Sequence, residues 1–270
     1  MTPENMAIFD DITRQTHTLI GGTTGAGKSV VIRGIIAALV SRHPAAVRLV
    51  LIDPKRVELH PYRTSPHVMA YADTPERMAD SIADICRVMD ARYSDMQRLN
   101  VRDTTEPHVY IIIDEMADLM DVCGRDTRQA LKRILQLGRA AGIHVIAATQ
   151  HPERSVLPAE IQLNFTAVLA LRCKSSIESR QLIGMQGAEA LEIGTAYYTA
   201  PGVHPPRRVS IPLVSDADIM HTIAGYQTTP AAPTITPTAS APPDTYHGHP
   251  EPQTPRIFDR LVNAIFGWLY

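Results

Sequence analysis

A complete phosphate-binding motif lies near the start of this 270-residue chain, directly after a short apolar segment. Residues 18–21 (TLIG) have the character of a buried strand, and residues 22–29 (GTTGAGKS) match the pattern GxxxxGK[ST]. A predicted helix, residues 29–40, follows at once. Glycines let the backbone wrap so that several N–H groups point at one phosphate, and the helix N-terminus adds partial positive charge there. The order of strand, loop and helix therefore predicts a P-loop that binds nucleotide.

The motif also assigns roles to its individual side chains. Lys28 is expected to reach the β- and γ-phosphates, and the hydroxyl of Ser29 is expected to hold Mg²⁺. We therefore predict ATP and Mg²⁺ as cofactors. The predicted phosphate-binding loop consists of Gly22, Thr23, Thr24, Gly25, Ala26, Gly27, Lys28 and Ser29.

An acidic pair closes another apolar segment of the chain. Residues 109–114 (VYIIID) have the pattern of a buried strand that ends in Asp114, and Glu115 follows directly. An apolar strand that delivers two carboxylates to the C-terminal edge of a sheet is the Walker B arrangement. Asp114 is expected to bind Mg²⁺ through water, and Glu115 to accept a proton from the attacking water. No guanine-reading NKxD segment follows, so the pattern favours an ATP hydrolase over a GTPase.

Two further residues are candidates for the same site. Gln150 ends the predicted strand 143–149, whose C-terminal end should face the same crevice as the P-loop. A neutral amide there can sense the γ-phosphate and pass its loss to the segment that follows. Arg139 lies in a predicted helix, residues 125–141, with Gly142 as its C-terminal cap. A lone helical arginine is usually a solvated surface charge, so the pattern alone gives Arg139 no role.

Apolar runs that alternate with helical patterns predict the fold class. Because the predicted strands are continuously apolar, both faces of their sheet should be covered. The chain is therefore predicted to be an α/β protein with a mainly parallel sheet covered by helices on both faces. Strands are predicted at residues 18–21, 48–53, 109–114, 143–149 and 165–171, and helices at residues 29–40, 74–99 and 125–141.

The texture of the sequence divides the chain into four parts. Residues 1–17 form a short polar lead-in with little to bury, and residues 18–226 form the globular domain. Residues 228–255 are rich in Pro and Thr and are expected to be a disordered linker. Residues 256–270 place apolar side chains on one face of a predicted helix. Docking on its own domain, in the groove of a protein partner or on a membrane surface all stay open for this helix.

The composition bears on several classes of protein. A formal net charge of −2 gives no bulk electrostatic argument for nucleic-acid binding, although a local basic surface stays open. The three cysteines are far apart, with no CxxC pair, which favours reduced thiols over a disulfide framework or a zinc site. The sequence shows no signal-peptide pattern and no apolar run of about 18 residues. We therefore expect a cytoplasmic protein.

Five segments of the chain, taken together and in their order, match the motifs of a known protein family. They are residues 21–30 (GGTTGAGKSV), 51–59 (LIDPKRVEL), 109–120 (VYIIIDEMADLM), 137–152 (LGRAAGIHVIAATQHP) and 179–191 (SRQLIGMQGAEAL). Together they resemble the motor domain of the FtsK/SpoIIIE family of DNA translocases. The resemblance extends from about residue 18 to residue 219, which is the whole globular part.

The resemblance implies a RecA-like core that assembles as a homo-hexameric ring around double-stranded DNA, with ATP between the subunits. In that family an arginine of the RAAGIH segment completes the site of the neighbouring subunit, and carried over this is Arg139. The segment 53–56 (DPKR) also matches, and we expect it in the crevice or at a subunit contact. Members that act in chromosome partition and cell division carry membrane spans and a DNA-reading winged helix, for which this sequence shows no pattern.

Two alternatives to an ATP-dependent translocase of double-stranded DNA stay open. Related ATPases that resemble this family drive protein secretion or couple plasmid DNA to a secretion channel. A nucleotide-dependent interaction protein would instead use hydrolysis only as a switch. ATPase activity that responds to duplex DNA, to peptide or to neither separates the three.

Overall fold

The computed structural model describes residues 8–9, 12–153 and 157–226. The predicted linker 228–255 and the predicted helix 256–270 lie outside these residues. Across the described ranges, no helix combines the length and the apolar character that a membrane span needs.

Within the described residues, one eight-stranded sheet forms the centre of the fold. Its strands are β1 (His17–Gly21), β2 (Val47–Ile52), β3 (Val68–Ala72), β4 (His108–Ile113), β5 (Ile143–Thr149), β6 (Ala167–Ala170), β7 (Thr195–Ala200) and β8 (Val203–Ser210). They lie in the order β3-β2-β4-β5-β1-β6-β7-β8. Strands β1 to β6 pair in parallel, and β7 and β8 add an antiparallel edge. The predicted mainly parallel sheet is confirmed.

Helices of the described part connect and flank these strands. They are α1 (Lys28–Val40), α2 (Pro75–Leu99), α3 (Met116–Val122), α4 (Arg125–Leu137), α5 (Ala159–Gln162), α6 (Ser176–Ile183) and α7 (Asp216–Ala224). The long helix α2 begins as predicted, because the side chain of Thr74 accepts the backbone N–H of Arg77 and Pro75 occupies the first helical position.

Helices cover both faces of the sheet, as predicted. Alternate residues of a strand point to opposite faces, so Leu19 joins one buried apolar cluster and its neighbour Ile20 joins the other. Helices α2, α3 and α4 contribute buried side chains to the first cluster, and α1 and α7 contribute to the second. The sheet is thereby fixed between two apolar layers, and the ends of its strands remain for polar groups.

The helix α4 ends at Leu137, about one turn earlier than predicted. Gly138 is its C-cap residue, and a side chain there would lie 2.7 Å from two backbone carbonyl oxygens. The chain turns at this point, and Gly142 is the last residue of the turn 138–142, with a φ of 63°. The prediction that Gly142 caps the helix is therefore wrong. Arg139 lies in the turn and not in the helix.

The lead-in before β1 is more buried than its polar sequence predicted. Phe9 and Ile12 are both completely buried. The ring of Phe9 packs against Gly34 on α1, where a side chain on the glycine would come within 2.1 Å of it. The expectation that this segment has little to bury is therefore wrong for these two residues, because the small residue on α1 leaves room for a large ring.

Candidate nucleotide-binding site

The segments that follow four strands come together at one edge of the sheet. Gly22, Asp53, Asp114 and Gln150 directly follow β1, β2, β4 and β5. These four strands are parallel neighbours, so their C-terminal ends meet at the same edge. The structure thus brings the predicted P-loop, the acidic pair and Gln150 to one place.

The backbone of the P-loop has the shape that an anion cradle needs. Gly25 and Gly27 have φ values of 74° and 103°, in the left-handed region that other residues rarely adopt. A side chain at either position would meet no atom within 4 Å, so backbone conformation rather than space requires glycine here. Gly27 is also the N-cap of α1, and no side chain caps this helix. Its first N–H groups are therefore available to a phosphate.

Lys28 lies over this cradle. Its Nζ donates hydrogen bonds to the carbonyl oxygens of Gly22, at 2.7 Å, and Thr23, at 2.9 Å. The side chain is buried, and burial lowers the pKa of its ammonium, while the carboxylates of Glu115 and Asp114 oppose that shift. The ammonium is thus held at the loop from which it could pair with a phosphate.

Glu115 connects two strand ends. Its side chain is 2% exposed and caps α3 by accepting the backbone N–H of Ala117 at 3.3 Å. Both of its carboxylate oxygens also lie 3.2 Å from the backbone nitrogen of Gln150, which donates to them. These bonds fix the orientation of the carboxylate beside the P-loop.

Gln150 connects this carboxylate to the P-loop. Its side-chain oxygen accepts a hydrogen bond of 2.5 Å from the hydroxyl of Thr24. The backbone of the same residue donates to Glu115. A change in the P-loop therefore has a direct hydrogen-bonded route to Glu115 and to the end of β5.

The acidic residues of the site suit a divalent cation. Burial, together with the nearby carboxylates of Asp53, Glu58 and Glu115, raises the pKa of Asp114 to about 7, and the ammonium of Lys55 offsets only part of this shift. A cation beside Asp114 would relieve this repulsion. The hydroxyl of Ser29, at the start of α1, and the carboxylate of Asp114 are hard oxygen ligands of the kind that Mg²⁺ prefers.

In the part of the chain that the structure describes, no three or more His, Cys, Asp or Glu side chains form a group able to hold a metal. Mg²⁺ usually keeps several waters and takes only one or two protein ligands plus phosphate oxygens. The residues Ser29 and Asp114 therefore fit a magnesium ion that arrives with a nucleotide, rather than one held by the protein alone.

The segment after β2 brings Lys55 into the site, with contacts that the sequence did not predict. Asp53 is completely buried, and its carboxylate accepts the backbone N–H groups of Leu59, at 3.0 Å, and His60, at 3.1 Å. The loop that it holds directs Lys55 toward two carboxylates that follow β4. Its Nζ lies 3.2 Å from Asp118 and 4.0 Å from Glu115.

The resemblance of the DPKR segment was the one signal for Lys55 in the sequence. Its partners could not be assigned, because Asp118 and Glu115 belong to a different strand–helix unit. Arg56, the next residue, has a φ of 60°, which a residue with a side chain rarely adopts. Its Nε donates to the carbonyl oxygen of Asp73 at 3.2 Å. The loop is therefore held in one conformation on both sides of Lys55.

Arg139 is the one predicted site residue that the structure places elsewhere. The turn 138–142 precedes β5, so it lies at the N-terminal edge of the sheet, opposite the P-loop. The seven residues of β5 are joined by six steps of about 3.3 Å, which separate the two edges by about 20 Å. Its side chain is exposed and makes no hydrogen bond or ion pair within the described ranges. Arg139 therefore takes no part in the nucleotide site of its own subunit.

Comparison with known proteins places the residues of this site within a match to a known family. The chain matches the family model of FtsK/SpoIIIE over residues 2–108 and 103–154, more than half of its 270 residues. It is 35% identical to the DNA translocase FtsK of Rhizobium meliloti (strain 1021) and 36% identical to that of Listeria monocytogenes serovar 1/2a. The matches cover 82% and 79% of this chain but 30% and 31% of those proteins. The chain thus spans about 30% of the length of these curated relatives.

Solved structures share the fold. The conjugation coupling protein TcpA of pCW3 has a TM-score of 0.70 and 19% identity, over 80% of this chain and 66% of that one. EssC (ATPases 2 and 3) from Geobacillus thermodenitrificans also has a TM-score of 0.70, with 18% identity over 81% of this chain and 46% of that one. These similarities confirm the predicted α/β fold of a P-loop ATPase.

Proposed function

Because the chain belongs to the FtsK/SpoIIIE family, as its sequence motifs indicated, we propose that it is an ATP-dependent motor that moves double-stranded DNA. One observation carries the proposal: Thr24 of the P-loop contacts Gln150, and Gln150 contacts Glu115. This connection supports hydrolysis at the loop that is coupled to movement elsewhere. The family relation supports DNA as the cargo, since relatives about one-third identical are DNA translocases.

In the proposed reaction the backbone of the P-loop holds the phosphates of ATP, and Lys28 pairs with the β- and γ-phosphates. Ser29 and Asp114 would hold Mg²⁺, which when bound would neutralise charge on the phosphate oxygens. Glu115 accepts the proton of the attacking water. The phosphate-binding residues of the proposal remain Gly22, Thr23, Thr24, Gly25, Ala26, Gly27, Lys28 and Ser29.

Gln150 is proposed to report on the state of the nucleotide. Its side chain contacts Thr24 and its backbone contacts Glu115, so it lies between the phosphate cradle and the base. Loss of the γ-phosphate would change the position of the loop around Thr24. The amide would pass that change to β5 and to the segment after it.

A ring of subunits is part of the proposal, with six copies as in the family that the sequence resembles. Arg139 lies at the sheet edge opposite the P-loop, and β5 separates the two edges by about 20 Å, so it can complete a nucleotide site only in a neighbour. A planar guanidinium suits that role because it can meet developing phosphate charge with two parallel hydrogen bonds. A cytoplasmic location, where ATP is available, agrees with the free thiols of all three cysteines. The protein or membrane partner of residues 256–270 stays a prediction.

Mixing two inactive variants tests whether Arg139 acts in trans. Arg139→Ala and Lys28→Ala proteins are each expected to have little ATPase activity alone. In mixed rings, some interfaces pair an intact P-loop with an intact Arg139, so partial activity is expected to return. The measurement is phosphate release across mixing ratios, with subunit exchange confirmed by fluorescent labels. Exchange without any recovery would show that Arg139 does not complete a neighbouring site.

Duplex DNA is expected to raise the ATPase rate of the wild-type protein. A motor that must move along any sequence contacts phosphates rather than base edges, so the stimulation should depend little on base composition. Phosphate contacts release counterions, so stimulation should fall with salt, with a logarithmic slope of about 0.9 per phosphate contacted. Because the formal net charge is −2, we expect few simultaneous contacts and a shallow slope.

The measurement is steady-state phosphate release with long linear duplex, short duplex, unfolded polypeptide or no polymer. Long duplex is expected to stimulate most, because short tracks end after few steps. Stimulation by polypeptide but not by DNA would replace the DNA motor with a motor for protein cargo. A low rate that no polymer changes would favour a nucleotide-dependent interaction protein.

A further inference from the structure

Arg92, on α2, is a charged residue that the proposed reaction does not use. It is 6% exposed and forms no ion pair with any described residue. Its Nη1 donates to the carbonyl oxygen of Ala141 at 2.6 Å, and its Nη2 donates to that of Pro107 at 2.7 Å. Burial lowers the pKa of the guanidinium to about 10, although the carboxylate of Glu106 opposes this shift.

Burying such a group is unfavourable unless its hydrogen bonds are specific. Removal of an ion from water costs several times what one neutral hydrogen bond contributes, and this guanidinium has no paired carboxylate to offset the loss. The guanidinium instead has a rigid planar arrangement of hydrogen-bond donors. Through these donors, Arg92 joins the carbonyl oxygens of two segments that lie far apart in the chain.

One of these carbonyl oxygens belongs to the turn 138–142. Backbone N–H groups donate to other carbonyl oxygens of the turn: Thr104 N to Ala140 O at 3.0 Å, Val109 N to Gly142 O at 2.8 Å and Ile143 N to Gly138 O at 2.9 Å. Directly before the turn, Tyr93 Oη donates to Leu137 O at 2.7 Å. The side chain of Arg139 is meanwhile exposed, with no hydrogen bond or ion pair to the described residues. The turn is thus a rigid backbone that presents one unengaged arginine.

We propose that Arg92 is a positioning residue that holds the turn 138–142 so that Arg139 projects toward the nucleotide site of the neighbouring subunit. This inference rests on the proposed action of Arg139 in trans. Arg92 lies too deep in its own subunit to touch the neighbour's nucleotide. Its effect on hydrolysis is therefore exerted through Arg139, and it should be felt by the neighbour's site and not by its own.

The test uses Arg92→Met, which keeps a long apolar side chain but has no donors. The full-length variant is expected to lose about 10-fold to 100-fold in DNA-stimulated ATPase, because small displacements of a positioned group have effects of that size. Its affinity for a fluorescent ATP analogue should be the same as that of the wild type, since its P-loop is intact. Arg98→Met is the matched control on the same helix, where an exposed arginine pairs with Asp95 at 2.9 Å, and it is expected to keep wild-type activity.

Mixing separates a positioning role from a general role in stability. Arg92→Met mixed with Lys28→Ala is expected to recover activity, because the first supplies a P-loop and the second a correctly held Arg139. Arg92→Met mixed with Arg139→Ala is expected to recover none, since neither subunit presents the arginine. A subunit that was merely destabilised would give the same low activity in both mixtures. If Arg92→Met does not fold, Arg92→Lys, which keeps the charge, is carried through the same mixtures.

Two results would overturn this inference while the proposed function stands. The first is an Arg92→Met protein with wild-type ATPase activity. The second is a mixture of Arg92→Met with Lys28→Ala that recovers no activity, although the mixture of Arg139→Ala with Lys28→Ala does. If that last pair does not recover either, the trans role of Arg139 is wrong and the role of Arg92 is overturned with it. Subunit exchange is confirmed in every mixture by the same labels.

Discussion

Replacing Lys28 with alanine is expected to abolish ATP hydrolysis and to weaken the binding of ATP. The ammonium is buried at the P-loop, where it donates to the carbonyl oxygens of Gly22 and Thr23. Without it, the charge that develops on the γ-phosphate loses a cation that is held in place at the phosphate-binding loop. Removal of one such fixed donor lowers kcat by on the order of 10²–10³-fold, and we expect at least this loss.

The measurement for Lys28→Ala is phosphate release with long duplex DNA, together with titration of a fluorescent ATP analogue. Lys132→Ala is the matched control for binding, because that lysine lies on α4 and pairs with Glu160 at the surface. It is expected to bind ATP as the wild type does. A Lys28→Ala protein that hydrolyses ATP at near the wild-type rate would show that the P-loop is not the site of the reaction.

Replacing Glu115 with glutamine is expected to stop turnover while ATP remains bound. The amide has the same shape, and its oxygen can still accept the N–H groups of Ala117 and Gln150. It cannot accept a proton from the attacking water. General bases contribute about 10²–10⁴-fold to a rate, so a loss of that size is expected.

The measurement for Glu115→Gln compares single-turnover hydrolysis with nucleotide affinity in the same preparation. Asp118→Asn is the informative neighbour, because its carboxylate contacts Lys55 at 3.2 Å without contacting the backbone of Gln150. We expect it to lose much less activity than Glu115→Gln. Equal losses in the two variants, or wild-type turnover in Glu115→Gln, would contradict the assignment of Glu115 as the base.

The P-loop edge could be predicted from the sequence because its signals are local. A glycine-rich loop between a strand and a helix, and a carboxylate pair after an apolar run, each lie within about ten residues. Parallel strands then bring their C-terminal ends to one edge whatever their order. Gln150 was placed by the same rule, since it follows β5. The contacts of Lys55 were not predictable, because its partners arrive from a neighbouring strand.

The antiparallel edge of the sheet was not predicted, and the reason is its composition. β8, Val203–Ser210, contains Pro205 and Pro206 followed by two arginines, which is an unfavourable pattern for a strand. Proline lacks the N–H that a central strand must donate and is tolerated at an edge. β8 is the last strand of the sheet, where that donor is not needed. The position of a strand within a sheet is a tertiary property that periodicity does not contain.

The position of Arg139 could also not be predicted from the sequence. The helical pattern of α4 continues past Leu137, so the arginine was predicted on a helix. Close packing at Gly138, where a side chain would meet backbone oxygens, ends the helix earlier. That Arg139 lies at the edge opposite the P-loop follows from the direction of β5. The chain topology, and not the local pattern, therefore places Arg139 away from the nucleotide site of its own subunit.

Displacement of a third strand from duplex DNA shows directly whether this chain moves along DNA. A triplex-forming strand is annealed near one end of a long linear duplex, and its release is followed with wild-type protein at low salt. We expect release that requires ATP hydrolysis, and therefore none with Lys28→Ala or Glu115→Gln. If the wild-type protein hydrolysed ATP in response to duplex DNA yet left the third strand in place, ATP would be consumed without movement. That result would contradict the claim that this chain is a DNA motor.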